Sequence, residues 1–217
     1  MVGDREAKRH ASQLVGHLRR AYPNATCSLD FNNPLELLVA TILSAQCTDE
    51  RVNRVTKELF ARYPTAAHYA RAPSEQLERD IKSTGFFRNK ANSIQCCCQA
   101  LLEQYDGRVP QDMKALVGLP GIGRKTANVV LGTAFGISSG VVVDTHVGRI
   151  SRRLGLTKHK DPAKIEQDLM EQIPRKHWVA FSHQMIQHGR RYCTARGPKC
   201  DECPLETACP RIGLEAK

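Results

Sequence analysis

Apolar residues recur three and four positions apart in one segment after another: Ala11, Leu14, Val15 and Leu18; Val52, Val55 and Leu59; Ala91, Ile94, Leu101, Leu102 and Tyr105; Val147, Ile150 and Leu154. That is the spacing of a buried helix face, and it predicts an all-α chain. The punctuation agrees. Asn33-Pro34 and Asp161-Pro162 each set a capping side chain before a proline suited to the first helical position, and Glu36 follows as in a capping box. Gly85, Gly107 and Gly136 stand where helices should close, leaving helices of about 8 to 20 residues. Only Val141-Val142-Val143 has strand character, and without a partner run it reads as a buried connection into the next helix.

At 217 residues the chain can bury a hydrophobic core without disulfides. Lys and Arg total 32 against 22 Asp and Glu, a formal charge of +10 spread along the chain. That balance favours a polyanionic partner without naming one. The N-terminus is charged from Asp4 onward and has no apolar stretch of the secretory kind. The most apolar segment, Leu35 to Ala45, contains Glu36, Thr41 and Ser44, so no membrane span is expected. An intracellular protein follows, in the cytoplasm or nucleoid if the source is bacterial.

Nine cysteines in a reducing compartment point to metal before disulfide. Cys193, Cys200, Cys203 and Cys209 are spaced Cys-x6-Cys-x2-Cys-x5-Cys. Four thiolates on short loops suit tetrahedral zinc or an iron–sulfur cluster equally well. Cys96-Cys97-Cys98 lie mid-helix, where small buried thiols are the ordinary explanation, and neither they nor Cys47 are assigned to metal.

Met113 to Phe135 reads as a short helix, the turn Leu119-Pro120-Gly121-Ile122-Gly123, and a second helix from near Arg124. Gly121 and Gly123 would let the chain turn sharply and approach another surface, while the amides opening the next helix would bind an anion such as a DNA phosphate. A plain structural turn fits the same residues. A nucleotide phosphate loop does not, because Arg124 stands where the lysine is required and Lys125 comes one place late. Taken alone, Lys125 is an exposed helix lysine and Asp144 is the N-cap of the helix carrying Val147, Ile150 and Leu154.

The run Leu119-Pro-Gly-Ile-Gly-Arg-Lys-Thr-Ala-Asn-Val-Val130, followed by Val143-Asp-Thr-His-Val147, resembles the helix-hairpin-helix motif and catalytic aspartate of the endonuclease III family of DNA glycosylases. The resemblance extends to Leu43-Ser-Ala-Gln-Cys-Thr-Asp49 and to the cysteine spacing, and so covers nearly the whole chain. It implies two all-helical lobes with DNA in the cleft between them: a six-helix lobe over residues 27–137, and a cluster lobe of residues 1–26 plus 138–217. It implies a bifunctional DNA glycosylase and AP lyase acting in base excision repair on oxidised pyrimidines in duplex DNA.

In that scheme Lys125 attacks C1′, displaces the base and forms a Schiff base from which β-elimination breaks the strand, while Asp144 stabilises positive charge at C1′. A neutral amine is required; the positive helix end, Arg124 and a closed pocket would each favour one. Gln46 and Phe86 match positions that fill the hole left by an extruded base, although either Phe86 or Phe87 could serve the core. The four cysteines would hold a [4Fe-4S] cluster, with Arg196 and Lys199 against the DNA backbone. The partner would be double-stranded DNA with a damaged base or abasic site, bound by a monomer. Adenine-type glycosylases lack the lysine and carry a further C-terminal domain, whereas here Lys125 is present and eight residues follow Cys209. A monofunctional adenine- or mismatch-type enzyme and a non-enzymatic DNA-binding module are the alternatives, and base release distinguishes the module from both.

Overall fold

A computed structural model describes residues 2–214. Among them there are eleven α-helices and no strand: α1 (Val2–Ala21), α2 (Pro34–Leu43), α3 (Asp49–Arg62), α4 (Ala66–Arg71), α5 (Ser74–Ile81), α6 (Phe87–Tyr105), α7 (Met113–Gly118), α8 (Arg124–Ala134), α9 (Thr145–Arg153), α10 (Pro162–Gln172) and α11 (Trp178–Arg191). No described helix is long and apolar enough to cross a membrane. The chain divides into two compact units, one of residues 27–137 and one formed by the segments before and after it.

In the 27–137 unit, α2 is the central helix. Its sequence Pro-Leu-Glu-Leu-Leu-Val-Ala-Thr-Ile-Leu has no polar face, and Leu37, Leu38, Val39, Ala40 and Leu43 are all buried. It packs on α3, α6 and α8, and burying each leucine is worth roughly 1.5–3 kcal/mol. The expected cap is present: Asn33 Oδ1 accepts from the Glu36 amide at 3.0 Å, and the Glu36 carboxylate accepts from the Asn32 amide at 2.6 Å. The other helices close around α2 through Leu59, Leu77, Ile81, Ile94, Leu101, Leu116 and Val130. This unit contains seven described helices instead of six. One of them, α4, has only six residues, shorter than periodicity can register.

Three consecutive cysteines cannot share a helix face, because successive side chains on a helix are about 100° apart. Accordingly Cys97 and Cys98 are buried while Cys96 is exposed, which corrects the expectation of three buried thiols.

The second unit joins α1 to α9, α10 and α11. The predicted face of α1, Ala11, Leu14, Val15 and Leu18, meets Val147, Ile150, Leu169, Phe181 and Met185. Asp161 caps α10 by accepting from the Lys164 amide at 3.0 Å. Val141 to Val143 form the expected buried, extended connection, with the Val142 amide donating to Ser182 Oγ at 3.0 Å. Helix α11 approaches α9 closely at Gly189, where a Cβ would stand 2.6 Å from His146 Nδ1 and 2.9 Å from Ile150 Cδ1.

Candidate functional site

The hairpin between α7 and α8 is closed by the Ile122 amide donating to Leu119 O at 3.1 Å, and both of those side chains are buried. Its two glycines serve different needs. Gly121 has φ +76°, and a Cβ there would stand 3.1 Å from Ser93 Cβ, so this glycine allows both the turn and its seating on α6. Gly123 is extended, and a Cβ would meet nothing within 4 Å. Its bareness leaves open the mouth of α8, an end that no side chain caps. An uncapped helix N-terminus is an anion site. Lys125 is the second residue of that helix and is exposed, as is Arg124.

Asp144 is the N-cap of α9: its Oδ1 accepts from the Val147 amide at 2.7 Å. The side chain is half-buried. Two residues on, burial pushes the His146 pKa down, with Arg149 and Arg190 acting the same way against Asp144. Arg149 donates to His146 Nδ1 at 3.2 Å, a bond that requires that nitrogen to be unprotonated. Lys125 and Asp144 belong to different units.

Gln46 and Phe86 share an unusual backbone. Among the described residues only four non-glycines have left-handed φ, and these two, at +52° and +48°, are half of them. Such residues cost on the order of 1 kcal/mol and gather at functional sites. Gln46 is exposed, and Phe86, at 62%, is one of few large apolar side chains in solvent. The neighbouring Phe87 packs on the core instead, so it is Phe86 that is free to act outward. Both loops are tied to Lys90, whose Nζ donates to Leu43 O at 2.9 Å and Thr84 O at 2.8 Å. The sequence marks Lys90 only as one more helix lysine.

The four C-terminal cysteines are free thiols, and the loop carrying them is held by arginines of α9. Arg149 donates to Cys193 O at 2.8 Å; Arg153 donates to Cys193 Sγ at 3.2 Å and to Thr194 O at 2.7 Å. Cys203 Sγ lies 3.7 Å from His188 Nε2, whose other ring nitrogen meets Tyr22 Oη at 2.8 Å. Burial pushes the Cys203 thiol up to about 11, and the other three thiols add to the shift. Among the described residues no three His, Cys, Asp or Glu stand close enough to hold one metal ion. The four thiols nevertheless feel one another's charge, and cationic and N–H donors point at two of the sulfurs. A donor set of four thiols, two of them already accepting hydrogen bonds, fits a thiolate-bound metal group. Arg196 and Lys199 are exposed on the same loop. Arg149 and Arg153 were not singled out in the sequence; their four-residue spacing shows one helix face but not what it meets.

Residues 39–175 match the model of the HhH-GPD superfamily base excision DNA repair proteins. Endonuclease III of Synechocystis sp. is 57% identical over 94% of this chain and 93% of its own length. The chain belongs to the endonuclease III family. Endonuclease III of Escherichia coli is 41% identical over 91% of this chain and 93% of its own. A solved structure of a trapped endonuclease III–DNA covalent intermediate superposes with a TM-score of 0.89 at 46% identity, over 94% of this chain and 96% of that one. This endonuclease III-like chain is therefore a base excision repair glycosylase with AP lyase activity, and DNA is its partner. The span matched by the superfamily model takes in Gln46, Phe86, the hairpin, Lys125 and Asp144, and stops short of the cysteine loop.

Proposed function

We propose that this chain, acting as a monomer, excises oxidised pyrimidines from damaged duplex DNA and cuts the strand at the resulting site, with Lys125 as nucleophile. The neutral Nζ of Lys125 attacks C1′, the C1′–N bond breaks, and the base departs with that electron pair and takes up a proton. The adduct's nitrogen then loses a proton and the C1′–O4′ bond opens, O4′ leaving as a hydroxyl, to give a protonated Schiff base that acidifies the C2′ hydrogen. Loss of that proton expels the 3′ phosphate, and water then releases the lysine. Asp144 would stabilise positive charge at C1′ with the carboxylate that also caps α9. The observation that carries this reading is the exposed amine of Lys125 in the first turn of a helix with no side-chain cap, beside the glycine turn. A phosphate held there would fix the reach of the amine to the sugar. The trapped covalent intermediate of a 46% identical endonuclease III supports the same chemistry.

Gln46 and Phe86 would fill the hole left by the extruded nucleotide. The amides next to Gly121 and Gly123, together with Arg196 and Lys199, would grip phosphates. Cys193, Cys200, Cys203 and Cys209 would hold a [4Fe-4S] cluster, in keeping with the endonuclease III family. That group would order the basic loop and takes no part in the steps at C1′. Residues 27–137 would form the helix-hairpin-helix domain, and the chain segments on either side the cluster domain.

Borohydride trapping on a duplex containing thymine glycol tests the nucleophile and the substrate together. A covalent adduct with wild type and none with Lys125→Ala is expected. Base release without an adduct would make the enzyme monofunctional, and neither would remove the assignment of oxidised pyrimidines. Iron and acid-labile sulfide should copurify in equal amounts, and both should be lost from Cys203→Ser.

A further inference from the structure

Lysine is among the residues least often buried, yet Lys90, on the first turns of α6, is only 5% exposed. Among the described residues it has no carboxylate partner. Its ammonium group donates to two main-chain carbonyls, Leu43 O at 2.9 Å and Thr84 O at 2.8 Å. Burial pushes its pKa down, with the Cys47 thiol the one group acting the other way. A buried cation with only neutral acceptors is costly to keep, and leucine or methionine would fill the space without that cost. What the cation does is join two segments that are far apart in sequence. Leu43 ends α2, and Thr84 ends the 3-10 turn Lys82–Thr84. Three residues beyond the first carbonyl stands Gln46, and two beyond the second stands Phe86, both in the left-handed conformation. The negative ends of these helical segments favour a cation at the junction.

We infer that Lys90 is the positioning residue of the duplex-entering pair, fixing the bases of the Gln46 and Phe86 loops to one ammonium group so that both side chains enter the DNA in register. The inference rests on Gln46 and Phe86 filling the vacated stack. Without the ammonium, two buried carbonyls lose their donor and each loop relaxes by itself. The hairpin at Gly121 and Gly123 and the loop at Arg196 and Lys199 do not involve Lys90, so the grip on phosphates persists.

The test uses the full-length protein and a duplex holding a tetrahydrofuran abasic analogue opposite 2-aminopurine, whose fluorescence reports stacking of the estranged base. At saturating protein, Gln46→Ala and Phe86→Ala should each reduce the wild-type fluorescence change, and Lys90→Met should reduce it to the level of the Gln46→Ala/Phe86→Ala double variant. Adding Lys90→Met to that double variant should produce no further loss, since residues acting as one unit are non-additive. Single-turnover excision of thymine glycol by Lys90→Met should fall at least about tenfold, because small misplacements are amplified in the reaction. Affinity for undamaged duplex should stay within about twofold, being set by phosphate contacts. Should Lys90→Met fail to fold, Lys90→Gln retains an N–H2 donor and should give an intermediate signal. A wild-type fluorescence change in either lysine variant, or additive losses, overturns the role of Lys90 while leaving the two side chains in place. If Gln46→Ala and Phe86→Ala are themselves silent, their assignment to the vacated stack falls, and the role of Lys90 with it.

Discussion

Gly189→Ala should destabilise this protein, against the usual rule for a helix interior. Gly189 lies on the last turns of α11, where replacing glycine by alanine ordinarily gains about 1 kcal/mol. Here the added methyl would stand 2.6 Å from His146 Nδ1, 2.9 Å from His146 Cβ and 2.9 Å from Ile150 Cδ1. Relief needs about 1 Å of movement to reach ordinary carbon contact near 3.5–4.0 Å. His146 cannot simply rotate away at no cost, because Arg149 donates to its ring and the ring is partly buried. Ile150 is fully buried. Overpacking of this kind costs about 1–3 kcal/mol, so the strain equals or exceeds the helix gain, and a net loss on the order of 1 kcal/mol is expected.

In a chain of this size each kcal/mol moves the melting temperature by about 2–4 °C, and urea unfolding at neutral pH reads the change directly. The displaced element is α9, whose N-cap is Asp144, so excision should fall with stability. A variant as stable as wild type, or more so, would refute the close-packing account and leave only the helix preference.

Two further outcomes can be measured. Asp144→Asn keeps a good capping side chain and Asp144→Ala does not, so only the alanine variant should lose about 1 kcal/mol in urea melts; both should lose base excision, and an active Asp144→Asn would mean that the carboxylate charge is not needed. Burial pushes the Cys97 thiol up to about 12 and raises Cys98 as well. Free thiols ionise near pH 8.5, so the folded state holds protons that the unfolded chain releases. That stabilisation is complete below about pH 8.5 and is lost as pH rises toward 12, by up to about 1.4 kcal/mol per pH unit for each thiol. Replacing both by alanine should flatten the alkaline decline of stability, and an unchanged slope between pH 9 and 11 would count against it.

The helix faces of α1 and α9, and the caps Asn33, Asp144 and Asp161, were legible because each depends on neighbours three or four residues away. The hairpin was legible as a turn, but the difference between its glycines was not. Gly121 answers to Ser93 on another helix, whereas Gly123 answers to space outside the chain. Charge misleads for the same reason. Lys125 and Lys90 are both helix lysines, and the first is exposed. The second is buried by a carbonyl 47 residues away and another six residues away, contacts that leave no periodic trace. Arg149 and Arg153 repeat the pattern, meeting main-chain acceptors some 40 residues on.

Lys90, Arg149 and Arg153 each direct a long cationic side chain to main-chain carbonyls at the base of a loop. Carbonyl acceptors tie the cation to the path of the backbone, so neighbouring side chains can vary while the loop keeps its course. Segments held in this way carry Gln46, Phe86 and the first cysteine. The elements that a pattern of residues cannot announce are thus the ones that aim those residues.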